Sequence, residues 1–278
     1  MKDKYLEYAH KTFEGESLEL VLKQIDLFYQ EETIAGNSSY SVGDDVFLKK
    51  GTFLHGIPGG FDNFLWIVQN GFIGNDFTNQ SVSNKIKSSI GMWDIQEDCY
   101  LKDYIRDYSG FTITYTIGRG PGSTEVSELV PYHQFDEYTE RINNDESIWM
   151  YWGEGTKETR FLPSLVANKR QIAFILNMES PIAKKLRVGD VWNTKLSEEA
   201  LKYFTDYRYY EKFLVERFHR NASTTNREAA IIFGLPSRYI EGIFVGREIE
   251  KDKEVLEKIK KELPNCYICN LDGKVIVA

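Results

Sequence analysis

The C-terminal part of the chain contains two short apolar runs, an amphipathic segment and a turn, and this order restricts the fold more than any other feature. The runs at 229–233 and 240–245 have the length and residue types of buried strands. At 251–263, apolar side chains recur on one side of a helix. Residues 266–278 predict a terminal hairpin that turns at Asp272 and Gly273.

Elsewhere the predicted helices and strands lack the regular strand–helix–strand cadence of a parallel sheet. Apolar spacing predicts a helical element within 1–34, a helix at 64–68 that closes on Gly71, and a helix over 197–220. Runs at 111–117 and 171–176 predict strands. We therefore expect an α+β fold, with a helical N-terminal element at 1–40 packed on a single domain that spans 41–278.

The composition limits the cellular compartments in which the protein is expected. The 278 residues are 42% hydrophobic and include three cysteines, too few for a disulfide framework. The sequence has no apolar run of about 18 residues, and its N-terminus lacks the apolar core of a signal peptide. These features predict a cytoplasmic protein with no membrane partner.

The charge balance argues against general affinity for nucleic acid. The formal net charge is −8, from 34 basic and 42 acidic residues, whereas non-specific binding requires cations that neutralise phosphates. A basic cluster is interpreted as an ordinary charged helix face and loop in preference to a nucleic-acid groove; it consists of Arg217, Arg220, Arg227 and Arg238.

Cys266 and Cys269 form a lone C-x-x-C pair within a segment that is predicted to be a strand. Residues three apart on a strand point to opposite faces of the sheet. A zinc site would also need further ligands close in the sequence. We therefore expect no metal site.

Familiar catalytic motifs are absent, and the candidate site residues are polar residues beside apolar strands. The sequence has no GxSxG, HExxH or GxxxxGK[ST] motif. His55 ends an apolar run before a glycine-rich turn, where unpaired N–H groups suit a ribose or a phosphate. Glu228 opens an apolar strand, which would hold its carboxylate rigidly beside an accessible loop. Taken singly, His55 is better explained by packing at the core boundary and Glu228 by protection of a strand end.

Together, the flanks of these two residues resemble ADP-ribosyltransferase-like domains. The segments FLHG at 53–56 and IVQNGF at 67–72 are similar to a family strand that ends in histidine, followed by a short helix and a turn. The segment REAAIIFGLPSRYIEGIFV at 227–245 is similar to the later family segment, in which the catalytic glutamate opens a strand and a turn with proline follows. The nearest likeness is to the bacterial toxin family of DarT-like and related mono-ADP-ribosyltransferases.

The resemblance implies a split mixed or antiparallel β core with flanking helices and a large insertion at about 80–195. It implies transfer of ADP-ribose from NAD⁺, the co-substrate, to a macromolecular acceptor, either protein or nucleic acid, with release of nicotinamide. A cognate antitoxin would be a further partner. In this interpretation Glu228 is catalytic, His55, Gly56 and Asn63 bind the dinucleotide, and Tyr104 stacks on the nicotinamide.

The sequence leaves open which tyrosine stacks, what the acceptor is and which function the fold carries. Four tyrosines compete for the stacking role, with Tyr104 preferred over Tyr100, Tyr108 and Tyr115. Asn226 stands where several branches have Gln or Glu, which argues against arginine as the acceptor. The alternative functions are a catalytically altered member of the same fold, such as an RNA phosphotransferase or a nucleotide-binding module, and a non-enzymatic protein-interaction module.

Overall fold

The structure is a computed structural model that describes residues 1–32, 34, 40–57, 61–78, 89–95, 97–108, 110–117, 124–131, 148–150, 172–189, 196–210, 212 and 228–278. Its helices are α1 (Lys2–Thr12), α2 (Gly15–Tyr29), α3 (Phe61–Asn70), α4 (Asn75–Thr78), α5 (Leu101–Tyr108), α6 (Glu198–Leu201), α7 (Arg247–Glu250) and α8 (Lys253–Glu262). Its strands are β1 (Phe47–Leu48), β2 (Phe53–Ile57), β3 (Phe72–Ile73), β4 (Ser89–Asp94), β5 (Cys99–Tyr100), β6 (Gly110–Ile117), β7 (Thr124–Pro131), β8 (Ile148–Met150), β9 (Ile172–Leu176), β10 (Arg187–Gly189), β11 (Phe204–Asp206), β12 (Glu228–Ile232), β13 (Gly234–Leu235), β14 (Ile240–Val245), β15 (Tyr267–Cys269) and β16 (Val275–Val277).

A nine-stranded sheet organises the fold, with the strand order β11-β10-β12-β4-β2-β9-β14-β15-β16. Neighbouring strands in this sheet are antiparallel except β14 and β15, which run parallel and are connected through α7 and α8. Smaller sheets join β1 to β5, β3 to β13, and β6 to both β7 and β8. The α+β class is therefore confirmed, with a mixed and mainly antiparallel sheet.

The segment predicted as an insertion supplies strands to this main sheet. β4, β9 and β10 all come from the range 80–195, and β4 and β9 flank β2 directly. The same range also contains the separate sheet of β6, β7 and β8. This part of the chain therefore contributes to the core that holds the candidate site.

Both faces of the main sheet are covered by packed side chains. Successive strand residues alternate between the two faces. We call one side the α3 face: Phe53 and Phe174 point to it, and Phe64 of α3 stacks on Phe174. We call the other side the α5 face: Leu54 and Phe244 point to it and pack with Leu101 of α5.

The helical N-terminal element consists of α1 and α2, which pack against the part of the main sheet that contains β12. Val21, Ile25 and Phe28 of α2 are buried there beside Phe233. Among the described residues, no helix is long and apolar enough to cross a membrane.

The predicted helix over 197–220 is correct at 198–201 and wrong at 204–206. α6 ends at Leu201, and residues 204–206 form β11, which pairs with β10. Phe204 is buried, so pairing and burial outweigh the local helical spacing. Residues 213–220 lie outside the described residues.

Gly242 is expected to be intolerant of any side chain. A Cβ at this position would come closer than 3.0 Å to the Tyr267 ring, which is itself buried. We expect Gly242→Ala to lower the free energy of unfolding by about 1–3 kcal/mol, the usual effect of overpacking a core, as measured by urea denaturation. In a Tyr267→Leu background the same substitution should be milder; an equal loss in both backgrounds would contradict the steric explanation.

Candidate functional site

His55 lies half-buried in the middle of β2, on the α3 face. The strand continues through Gly56 to Ile57 and pairs with β9, His55 opposite Phe174 and Gly56 opposite Ala173. The His55 ring packs edge-on against Phe72, with 5.2 Å between ring centroids. His55 therefore does not end its strand. Phe72 of β3, the strand that follows α3, packs against the imidazole ring.

Glu228 is the first residue of β12, and a single strand separates it from β2. It lies opposite Trp93 of β4, and Trp93 lies opposite Leu54 of β2. Since neighbouring strands are about 4.8 Å apart, the backbone at 228 is about 10 Å from the backbone at 54. Two segments that are distant in sequence are therefore close in the fold.

The register also assigns the two positions to different faces. Directly opposed residues of antiparallel strands belong to the same face, and successive residues alternate. Position 228 thus shares a row with Leu54, on the α5 face, whereas His55 belongs to the α3 face. A single ligand would reach both positions only across the end of the sheet at which β12 begins.

The other predicted site residues divide between the two faces. Asn63 is exposed in the first turn of α3, the helix that covers the His55 side. Tyr104 lies on α5 and packs against the cluster that contains Leu54. The structure therefore brings Tyr104 and position 56 to the side of the Glu228 row and leaves His55 and Asn63 with the other side.

Asp94 is a buried carboxylate that the sequence does not single out. It is the last residue of β4 and lies opposite Phe53, which places it on the α3 face with His55. Only 8% of the residue is exposed. The signal that could have found it is a charged residue between two large apolar ones, Trp93 and Ile95.

Glu241 is a second carboxylate that the sequence does not single out; it is half-buried and lies at an irregularity in β14. The pairing of β14 with β9 shifts register between Ile240 and Gly242, so Glu241 occupies a bulge, a feature that re-aims side chains. Its Oε2 accepts a hydrogen bond of 2.9 Å from Nδ2 of Asn177. Burial raises the pKa of the Glu241 carboxyl, and the bond from Asn177 and the charge of Lys49 oppose this rise.

These groups lie along one end of the main sheet, which we call the polar sheet end. There β2, β12 and β14 begin and β4 and β9 finish, so the end carries Glu228, Asp94, Asn177 and Glu241. Carboxylate and amide oxygens accept hydrogen bonds from sugar hydroxyls or stabilise a developing cation. Within the described ranges, no group of three potential ligands is arranged to hold a metal ion.

No protein-family model, curated protein or solved structure matches the chain. The resemblance to ADP-ribosyltransferases therefore rests on the two segments at 53–72 and 227–245, and membership of that family stays a prediction.

Replacing Glu241 should stabilise the protein at neutral pH. Because burial raises its pKa, the neutral carboxyl contributes stability below the ordinary value of 4.5, and this is lost as pH rises through the folded-state pKa. Glu241→Gln removes the half-buried charge and keeps an acceptor for Asn177. We expect a melting temperature a few degrees higher at pH 7 and nearly unchanged at pH 4.

The matched control for this change is Glu254→Gln, which alters an exposed carboxylate that pairs with Lys258 on α8. Calorimetry of both variants at the two pH values tests the effect. A Glu241→Gln protein that melts at the wild-type temperature at pH 7 would contradict a destabilising carboxylate charge at this bulge.

The C-x-x-C pair lies at β15, which begins directly after Cys266 and ends at Cys269. Cys266 belongs to the α3-face cluster and Cys269 to the α5-face cluster, which confirms that they point to opposite faces. Their thiols donate to the carbonyls of Ile240 and Ile243, at 3.2 and 3.4 Å. Both cysteines are buried and pair with backbone instead of with each other.

Arg238 is turned toward the end of α2 and is held there by hydrogen bonds and an ion pair. Its Nη1 donates to the Phe28 carbonyl at 2.9 Å, and its Nε lies 3.6 Å from Oε1 of Glu32. The other three arginines of the predicted cluster lie outside the described residues. Arg238 therefore ties the end of α2 to the turn before β14.

A cleft of about 740 Å³ lies where β14 and β15 begin. It is bordered by Arg238, Lys260, Tyr40 and Tyr267, among others. None of the five predicted site residues lines it, so this cleft does not bear on the His55 and Glu228 prediction.

Proposed function

We propose that the protein is an NAD⁺-dependent mono-ADP-ribosyltransferase of the toxin or effector type. The observation that carries the proposal is the strand order β12-β4-β2. It puts the strand with Glu228 and the strand with His55 on either side of one central strand, in adjacent rows of the register. This arrangement supports a shared ligand about the size of a dinucleotide at the polar sheet end.

The reaction would break the bond between ribose C1′ and the nicotinamide nitrogen. The electron pair of that bond leaves with nicotinamide, a neutral leaving group, and C1′ becomes oxocarbenium-like, as in glycoside hydrolysis. A nucleophilic atom of the acceptor then bonds to C1′ and loses its proton to the surroundings. A carboxylate beside C1′ stabilises the developing positive charge.

Each predicted residue has one task in this proposal. Glu228 holds the nicotinamide ribose hydroxyl and offsets the charge at C1′, while Tyr104 stacks on the departing ring from the α5 face. His55 and Asn63 hold the adenosine half from the α3 face, together with the backbone of Gly56. The bound dinucleotide therefore has to run across the polar sheet end, which is the geometry that the register requires.

The partners follow from the chemistry of the transfer. The acceptor is a macromolecule, and with a net charge of −8 the chain has no general attraction for phosphate backbones. An acceptor on nucleic acid would therefore be recognised at specific contacts. We place the enzyme in the cytoplasm, where NAD⁺ is available, together with a cognate antitoxin.

Incubation of the wild-type protein with NAD⁺ labelled in the nicotinamide ring tests the proposal. We expect release of free nicotinamide, and transfer of an adenine label to macromolecules of a cell extract. In parallel, NAD⁺ should raise the melting temperature by mass action, and His55→Ala should reduce that rise.

The outcomes separate the alternatives. Protection by NAD⁺ without any nicotinamide release would replace the transferase with a nucleotide-binding member of the fold. The absence of both protection and release would overturn the proposal and leave a non-enzymatic interaction module.

A further inference from the structure

Tyr207 connects the far edge of the main sheet to the polar sheet end. It directly follows β11, and its backbone N–H donates to the Leu186 carbonyl at 2.8 Å. Its side chain reaches in the other direction, and the hydroxyl donates to the Gly51 carbonyl at 2.5 Å. The Tyr207 ring packs edge-on against Phe53, with 5.4 Å between centroids. One side chain therefore links β11 to the entry of β2.

The backbone conformation of Gly51 and the space at its Cα accommodate this hydroxyl. Its φ is +86°, a conformation that L side chains rarely adopt. A Cβ at this position would come closer than 3.0 Å to the Tyr207 oxygen. Glycine thus provides both the turn and the space that the hydrogen bond requires.

Gly51 in turn fixes the end of β4. The Gly51 N–H donates to the Ile95 carbonyl, and the Ile95 N–H donates to the Thr52 carbonyl, each at 2.8 Å. This pair extends the β2–β4 ladder beyond Phe53 and Asp94. The opposite edge of β4 carries Glu228, paired with Trp93. The Tyr207 hydroxyl is therefore linked to the end of β4 through two successive hydrogen bonds, and Glu228 pairs with the other edge of that strand.

We propose that Tyr207 is a positioning residue, which acts through Gly51 and the end of β4 to hold the start of β12 in place for turnover. The inference rests on the proposed function. Tyr207 touches no reacting atom in it, because its hydroxyl is engaged by the Gly51 carbonyl. Its contribution is the fixed geometry of the polar sheet end, where small displacements reduce the rate strongly.

Tyr207→Phe removes only the hydroxyl and keeps the ring on Phe53. We expect kcat for nicotinamide release to fall about 3- to 10-fold, the change that corresponds to one hydrogen bond, with KM for NAD⁺ unchanged. Amide exchange at Gly51 and Ile95 should become faster. The matched control is Tyr209→Phe, in the same turn, because Tyr209 is 53% exposed and the control should leave kcat and both exchange rates unchanged.

The two readouts separate failure of this inference from failure of the proposed function. Wild-type protein that releases no nicotinamide overturns the function, and positioning for turnover falls with it. If the wild type is active, Tyr207→Phe with wild-type kcat overturns the inference and leaves the function standing. Unchanged exchange at Gly51 and Ile95 overturns the proposed linkage whatever the activity, and a KM effect in place of a kcat effect overturns positioning for turnover.

Discussion

Glu228→Gln is expected to lower nicotinamide release by about 10²–10³-fold, the usual effect of removing one preorganised electrostatic group. The amide keeps the size of the side chain and loses its negative charge, so it no longer offsets the charge that develops at ribose C1′. Binding of NAD⁺ should persist, because the proposed adenosine contacts lie around His55. The measurement pairs nicotinamide release with the rise in melting temperature that NAD⁺ causes.

Asp94→Asn is the informative comparison for this variant. Asp94 is a buried carboxylate on the α3 face, where His55 lies, whereas position 228 belongs to the α5 row. If Asp94→Asn abolishes release and Glu228→Gln does not, the catalytic carboxylate is on the His55 side and the Glu228 assignment is wrong. Cell growth provides a second readout: expression of wild type should slow it, and Glu228→Gln should restore it.

The parts of the fold that the sequence predicts correctly depend on local patterns. Apolar runs place β9, β12 and β14 within a residue or two, and the amphipathic spacing at 251–263 predicts α8. Gly71 ends α3 with φ +80°, in the way that the glycine after a helix predicts. In each case the residues that specify the element lie within the element itself.

The errors and omissions arise where pairing partners are distant in sequence. β11 escapes prediction because its pairing with β10 is non-local, and β4 because its residues show no clear period before it is set between β2 and β12. The same reason limits the site. The pair of His55 and Glu228 can be proposed from the sequence, but their assignment to opposite faces depends on the register through Trp93. Asp94 and Glu241 become candidates only when burial is known.

Above pH 9 the free energy of unfolding is expected to fall steeply, for reasons independent of the proposed activity. Burial raises the pKa of the Cys266 thiol to about 12, against the opposing charge of Lys260, and it also raises the pKa of Cys269. Burial likewise raises the pKa of Tyr267 well above 10. In each case the fold retains the neutral form, so the stability is complete below the ordinary pKa and is lost as pH rises toward the folded-state pKa.

The size of this effect follows from the number of groups. Each thiol contributes a slope of about 1.4 kcal/mol per pH unit, so two thiols remove roughly 5 kcal/mol between pH 9 and pH 11. That is comparable with the whole stability of many proteins, about 5–15 kcal/mol, and Tyr267 adds to the loss above pH 10. Urea denaturation across this range should show the slope. The double variant Cys266→Ala and Cys269→Ala should flatten it between pH 9 and 10, whereas Cys99→Ala, at a half-buried position, should not. An unchanged slope in the double variant would mean that the buried thiols do not cause the alkaline loss.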